Sequence, residues 1–138
     1  MSTPLNFKCH KIAEGRARAK ALVSPDAVCF YLVDPQTGVI IEEGHGARGR
    51  SVAGQVLVFP SGKGSSVVQA DGLYQLKMNG CEPKAMIIRH PDTVLVATAI
   101  IMGVPLVDGL DEAFYREIAD GDEVEVDSDG QRVTLYKN

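Results

Sequence analysis

A lysine flanked by two glycines and followed by two serines stands in Phe59-Pro60-Ser61-Gly62-Lys63-Gly64-Ser65-Ser66. Loop glycines let a ligand approach the backbone closely. A helix opening at the serines adds free N–H groups and a partial positive charge. The chemistry on offer is therefore anion binding, or activation of a serine hydroxyl. A nucleotide-binding P-loop, G-x-x-x-x-G-K-[ST], does not fit. Lys63 is followed by Gly64, and Leu57 stands where the first glycine belongs. A hydrolase elbow, G-x-S-x-G, does not fit either, because no serine here has glycine two residues away on both sides. Two readings stay open on these residues alone. Ser65 is a base or oxyanion group at a helix start, or Ser65 or Ser66 is an N-cap contributing about 1 kcal/mol to helix stability.

Other polar residues lie at the ends of predicted elements. Arg89 closes the strand Ala85–Arg89, within reach of a site or of a surface acid. Lys63 is either a point charge for a substrate carboxylate or phosphate, or a solvated loop lysine. His45 and His90 sit beside turns, where a lone histidine is more often structural than catalytic. Asp34 precedes Pro35, and a turn-capping role suffices for it.

The elements that must position these groups follow from pattern. Arg16, Arg18 and Lys20 alternate with small apolar residues, which puts the cations on one face of a strand. Ala27–Asp34 reads as a buried strand, and Val28–Val33 with Val39–Glu42 as a hairpin about Pro35–Gly38. Gly44–Gly54 is a glycine-rich loop, and Gln55–Phe59 a short strand stopped by Pro60. A helix is expected over Ser65–Asn79, with Val68, Leu73, Leu76 and Met78 inward and Gly80 just past its end. Asp92 and Gly103 bound a second helix. A short strand at Val104–Val107, a helical turn near Gly109–Ile118 and a hairpin about Asp129-Gly130 complete the chain. The order is α/β: mixed sheets forming a barrel-like core, helices packed on one side, and parallel pairing in the β,α,β,α,β centre.

Composition bounds the function. The 138 residues suit one domain, with 45% hydrophobic and 23% charged residues and a net charge of −4. That balance argues against a nucleic-acid partner, which favours a concentrated basic face. Cys9, Cys29 and Cys81 form no CxxC motif, and an odd count argues against a disulfide framework. Reduced thiols in the cytoplasm are the expectation. The opening residues lack the apolar core of a signal peptide. Val94–Val107 is too short and interrupted to span a bilayer.

The turn Gly62–Ser66 resembles the G-x-G-S-S turn in the swivel domain of the aconitase superfamily. The stretches Val33–Ile40, Gly44–Ser66, Tyr74–Gly80, Met86–Leu110 and Asp120–Asp127 are similar to the aconitase X branch, whose small subunit is a separate swivel domain. The resemblance implies a swivelling β/β/α fold. It divides the chain into an N-terminal segment, 1–14, with room for a strand; a family-like core, 15–127; and a closing strand, 128–138. It implies a dehydratase subunit, active only with a larger partner. That partner holds an iron–sulfur cluster, and this chain binds no metal. By position the catalytic base is Ser65, with Gly62, Lys63, Gly64, Ser66 and Arg89 as substrate contacts. The substrate implied is a small hydroxy acid, 5-phosphomevalonate ahead of cis-3-hydroxy-L-proline. Two rival classes remain. One is a serine hydrolase pairing Ser65 with His90 or His45. The other is a non-catalytic module that binds small anions.

Overall fold

The computed structural model describes residues 3–137. One strand organises it. In β3 (Arg16–Val23), Arg16, Arg18 and Lys20 are exposed, as their alternation requires. Residues Arg16 to Lys20 pair antiparallel with β7 (Glu123–Asp127). Residues Ala21 to Val23 pair in parallel with β4 (Val56–Phe59). The strand thus belongs to two sheets. Its basic stripe is matched across the antiparallel half, where Arg16 binds Glu125 and Arg18 binds Glu123.

The remaining strands extend from this one. β4 pairs in parallel with β5 (Ala85–Ile88), and β5 with β6 (Leu106–Asp108). α1 (Ser66–Met78) and α2 (Thr93–Met102) make the connections, so the centre reads β,α,β,α,β as expected. On the other flank β7 forms a hairpin with β8 (Arg132–Tyr136). The N-terminal segment supplies two strands. β1 (Leu5–Lys8) pairs with β8, and β2 (His10–Ala13) pairs with β6. The sheet order is β1-β8-β7-β3-β4-β5-β6-β2. Its two outer strands are joined through Cys9 alone, so the sheet must curl until its edges meet. This is the barrel-like mixed sheet expected of the sequence.

All four residues of β4 and of β5 are buried, because both faces of these strands are covered. Leu57, Phe59, Met86 and Ile88 meet Leu73 and Leu76 of α1 and Leu95 and Ala99 of α2. Val56, Val58, Ala85 and Ile87 meet Val124, Val126, Val133 and Leu135 of the β7–β8 hairpin. Phe114 of α3 (Glu112–Glu117) joins this second core. Each fully buried Leu or Phe contributes ~1.5–3 kcal/mol.

Two expectations are corrected. The segment Ala27–Asp34 is not a strand. Phe30–Leu32 forms one turn of 3-10 helix, and the expected hairpin shrinks to a single bridge between Val33 and Ile40. The cause is α1. Gly72 lies so close to this turn that a Cβ there would stand 2.6 Å from the carbonyl carbon of Phe30. The apolar run is buried beneath a helix instead of inside a sheet. The inward face of α1 also differs: Gln69, Gly72, Leu73 and Leu76 are buried, whereas Met78 is exposed. Among the described residues no helix is long and apolar enough to cross a membrane.

Candidate functional site

β4 ends at Phe59, and the chain then turns through Ser61–Gly64 into α1. The turn lies along Ala27–Cys29. Val28 N donates to Ser61 O at 2.9 Å, and Lys63 N donates to Val28 O at 3.1 Å. Ser65 is the N-cap of α1, with φ −68° and ψ 171°. Its Oγ accepts from Val68 N at 3.4 Å, a long bond beside the 2.9 Å cap that Asp92 makes for α2. Ser65 is also exposed, so its hydroxyl is weakly engaged and open to a ligand. The N–H groups of Gly64, Ser65, Ser66 and Val67 have no acceptor among the described residues. They stand in sequence at the positive end of the helix dipole.

Glycine is required at Gly64 and fits the crowded space at Gly62. Gly64 has φ +106°, and a Cβ there would stand 2.7 Å from Val68 Cγ1. A Cβ on Gly62 would stand 2.4 Å from Gln69 Oε1. Gln69 lies beneath the turn, 7% exposed, and its Nε2 donates to Gly64 O at 3.1 Å. Its Oε1 is buried without a hydrogen-bond partner among the described residues.

Lys63 is not a free lysine. Its ammonium is bonded to Glu42 Oε2, which raises its pKa. The other oxygen of Glu42 is buried and has no partner among the described residues. Arg89 begins near the turn, since its N donates to Phe59 O at 3.2 Å and His90 N donates to Pro60 O at 2.8 Å. Its side chain is committed elsewhere. The guanidinium donates to Glu112 Oε1 at 2.6 Å and lies 3.6 Å from the centre of the Tyr115 ring. This is the surface pairing with an acid that the sequence allowed. The pairing lowers the pKa of Glu112 and raises that of Arg89.

His45 is buried and structural. Its Nδ1 accepts from Ala47 N at 3.0 Å, which leaves Nε2–H to donate to Ala27 O at 2.9 Å. His90 is exposed. No histidine is hydrogen-bonded to Ser65 Oγ among the described residues, so the constellation of a serine hydrolase is absent there. Asp34 caps its own turn, its Oδ1 accepting from Gln36 N.

The structure therefore gathers Gly62, Lys63, Gly64, Ser65 and Ser66 at one helix start and turns the Arg89 side chain toward α3. It adds Glu42 and Gln69, which sequence reasoning missed. Gln69 had a readable signal. It occupies the buried stripe 69, 73, 76 of α1, where a polar residue is out of place. Glu42 had none, because its partner is distant in sequence.

An apolar face adjoins the helix start. Val67, 69% exposed, and Ile101, 74% exposed, line a groove between α1 and α2 with Ala70, Tyr74 and Thr98. A shallower depression continues it to Ser66 and Thr93. Among the described residues, no group of three or more His, Cys, Asp or Glu side chains is placed to hold a metal ion.

Comparison with known proteins supplies the context. The model of the aconitase X swivel domain matches residues 6–135. The phosphomevalonate dehydratase small subunit of Methanocella arvoryzae is 47% identical over 124 residues, covering 89% of this chain and 93% of that one. The protein of the same name from Thermococcus sibiricus is 42% identical, covering 95% and 98%. The crystal structure of Thermococcus kodakaraensis aconitase X in its holo-form superposes with a TM-score of 0.87 at 37% identity, over 96% of this chain and 99% of that one.

Proposed function

The chain belongs to the aconitase X swivel-domain family, and from that premise we propose that it is the small subunit of a two-chain dehydratase acting on 5-phosphomevalonate, with Ser65 as the base. The observation that carries this reading is the exposed, loosely capped Ser65 among four consecutive N–H groups that have no acceptor among the described residues. Dehydration removes a proton from the carbon next to the substrate carboxylate and the hydroxyl from the carbon beyond. A C–H and a C–O bond break, and a carbon–carbon double bond forms. Ser65 Oγ takes the proton.

An ordinary serine hydroxyl is too weak a base for that step. The helix start and the adjoining N–H groups stabilise the alkoxide, and they do so more strongly once water is excluded. Lys63 stands beside the same turn, its ammonium held and largely offset by the Glu42 carboxylate. The N–H groups of Gly64 to Val67 also suit an anionic substrate group. An iron–sulfur cluster held by the larger subunit would act as a Lewis acid on the departing hydroxyl. Cys9, Cys29 and Cys81 do not form a cage for it here.

A site shared between two chains has to close when they meet. The exposed apolar face of α1 and α2 begins at Ser66 and supports docking of the larger subunit on that side. The glycine-rich loop Gly44–Ser51 is tied to the same region, because Gly46 N donates to Asp26 Oδ2 and His45 binds Ala27.

The test is reconstitution. This chain and its larger subunit, purified together, should dehydrate 5-phosphomevalonate, and the isolated chain should not. Activity on cis-3-hydroxy-L-proline in its place would reassign the substrate. Labelling of Ser65 by a serine-reactive probe in the isolated chain would favour a hydrolase.

A further inference from the structure

We infer that Gln69 is a positioning residue that aims the Ser65 N–H into the site by holding the peptide between Gly64 and Ser65. The inference rests on the proposed role of Ser65. The peptide is trans, as are the others of the described chain. In a trans peptide the C=O and N–H point in opposite directions. Gln69 Nε2 donates to the carbonyl of Gly64 from beneath the turn. The N–H on the other edge of that peptide is the one belonging to Ser65. It is therefore driven away from the buried Gln69 and toward the exposed side of the turn. Gly64 tolerates this peptide orientation because it adopts φ +106°.

The unpartnered Oε1 argues that this is more than packing. Gln69 is 7% exposed and sits on the apolar stripe of α1, where leucine would fill the space without an orphaned oxygen. The opposite amide orientation would bring Oε1 against Gly64 O, two acceptors facing each other. The side chain is thus held with its donor on Gly64 and its acceptor unsatisfied beside Gly62. Gly62 lacks a Cβ where Oε1 lies, so the two glycines of the turn both make room for what Gln69 does. A buried acceptor left unsatisfied in a native fold calls for a role, and holding the Gly64–Ser65 peptide supplies one.

The experiment uses Gln69→Leu, which keeps the volume and removes the donor. Gln69→Glu and Gln69→Met are made alongside. Each is assayed with the larger subunit on 5-phosphomevalonate, and the full-length small subunit is examined by amide NMR. In Gln69→Leu, kcat should fall on the order of tenfold to a hundredfold, with KM little changed. The Gly64 and Ser65 amide resonances should shift, and the thermal midpoint should hold or rise. A structural support would behave differently, losing thermal stability with kcat intact. Wild-type kcat in Gln69→Leu while Ser65→Ala is inactive would overturn the inference and leave the function standing. Full turnover in Ser65→Ala would overturn the function itself. Failure of all three Gln69 variants to fold would also overturn the inference, by making Gln69 a support of α1.

Discussion

Where β4 and β5 finish, Gly62 and Gly64 are pressed against Gln69 and Val68, and a methyl group has no room. At the opposite end of these strands Gly80 and Gly103 follow α1 and α2 with φ 71° and 70°, and an added Cβ would meet nothing within 4 Å. A cavity of about 590 Å³ opens there, bordered by Arg16, Arg18 and Lys77. Those cations are satisfied by Glu125, Glu123 and Glu82. The glycine turn has less space and more unused chemistry. Four consecutive N–H groups and two buried carbonyl or carboxyl oxygens lack partners among the described residues. Unsatisfied polar groups, not volume, distinguish the candidate site. One end uses glycine to reverse the chain, and the other uses it to bring neighbours into contact.

Substitutions at the two ends test that contrast. Ser65→Ala should have the largest effect, lowering turnover of the assembled enzyme by about 10²–10⁴. Its melting temperature should change little, because the capping bond is long. Ser66→Ala should lose less activity, and the reverse ranking would shift the catalytic position by one residue. Gly64→Ala comes next. It strains a φ of +106° and drives Cβ into Val68, so activity should fall with stability. Gly103→Ala should cost about 1 kcal/mol in a denaturant titration and leave kinetics alone. Equal losses of activity in these two variants would erase the distinction between the ends.

Lys63→Ala should lower kcat/KM roughly tenfold if the ammonium faces substrate charge. Wild-type kinetics would leave it as a partner of Glu42 alone. The smallest effect concerns Cys9, buried in the second core, where desolvation pushes its thiol up to about 11. Iodoacetamide at about pH 8 should modify Cys29 and Cys81 ahead of it, by the thiolate's role as nucleophile. A raised thiol pKa means the folded state disfavours the thiolate. Its contribution is complete below the ordinary value of 9.0 and is lost as pH rises through about 11. The unfolding free energy measured across that window should fall less steeply in Cys9→Ala.

Much of this was readable from local pattern. Asp92 and Gly103 bound α2 as caps should, and Ser65 and Gly80 bracket α1. The β,α,β,α,β centre followed from strands and helices of ordinary length. Local pattern failed where distant residues decide. Phe30 is buried where Gly72 of α1 lies against it, and nothing nearby in sequence says that the cover is a helix. The N-terminal segment splits between two sheets because β8 and β6 both need an outer neighbour. Arg89 lies one residue past the end of β5, and its choice of Glu112 depends on where α3 packs. The glycine–serine turn was visible as a motif. Of its two neighbours, Gln69 left a sign in the sequence, a polar residue on the buried stripe of α1, and Glu42 left none, because its contact with Lys63 is one that only folding creates.

The pairing of Leu5 with Leu135 has a consequence for how the chain folds. β1 is synthesised before its partner β8, with every other described element lying between them in the chain. Such a long-range pairing closes slowly, since loop entropy is lost before the contact forms. Until then the β1 edge is unpaired and open to other chains. A ribosome-bound fragment ending before Arg132 should therefore hold α1 and α2 on their sheet while β1 still lacks its neighbour, and a fusion that slows release of β8 would lengthen the interval in which the nascent chain can aggregate.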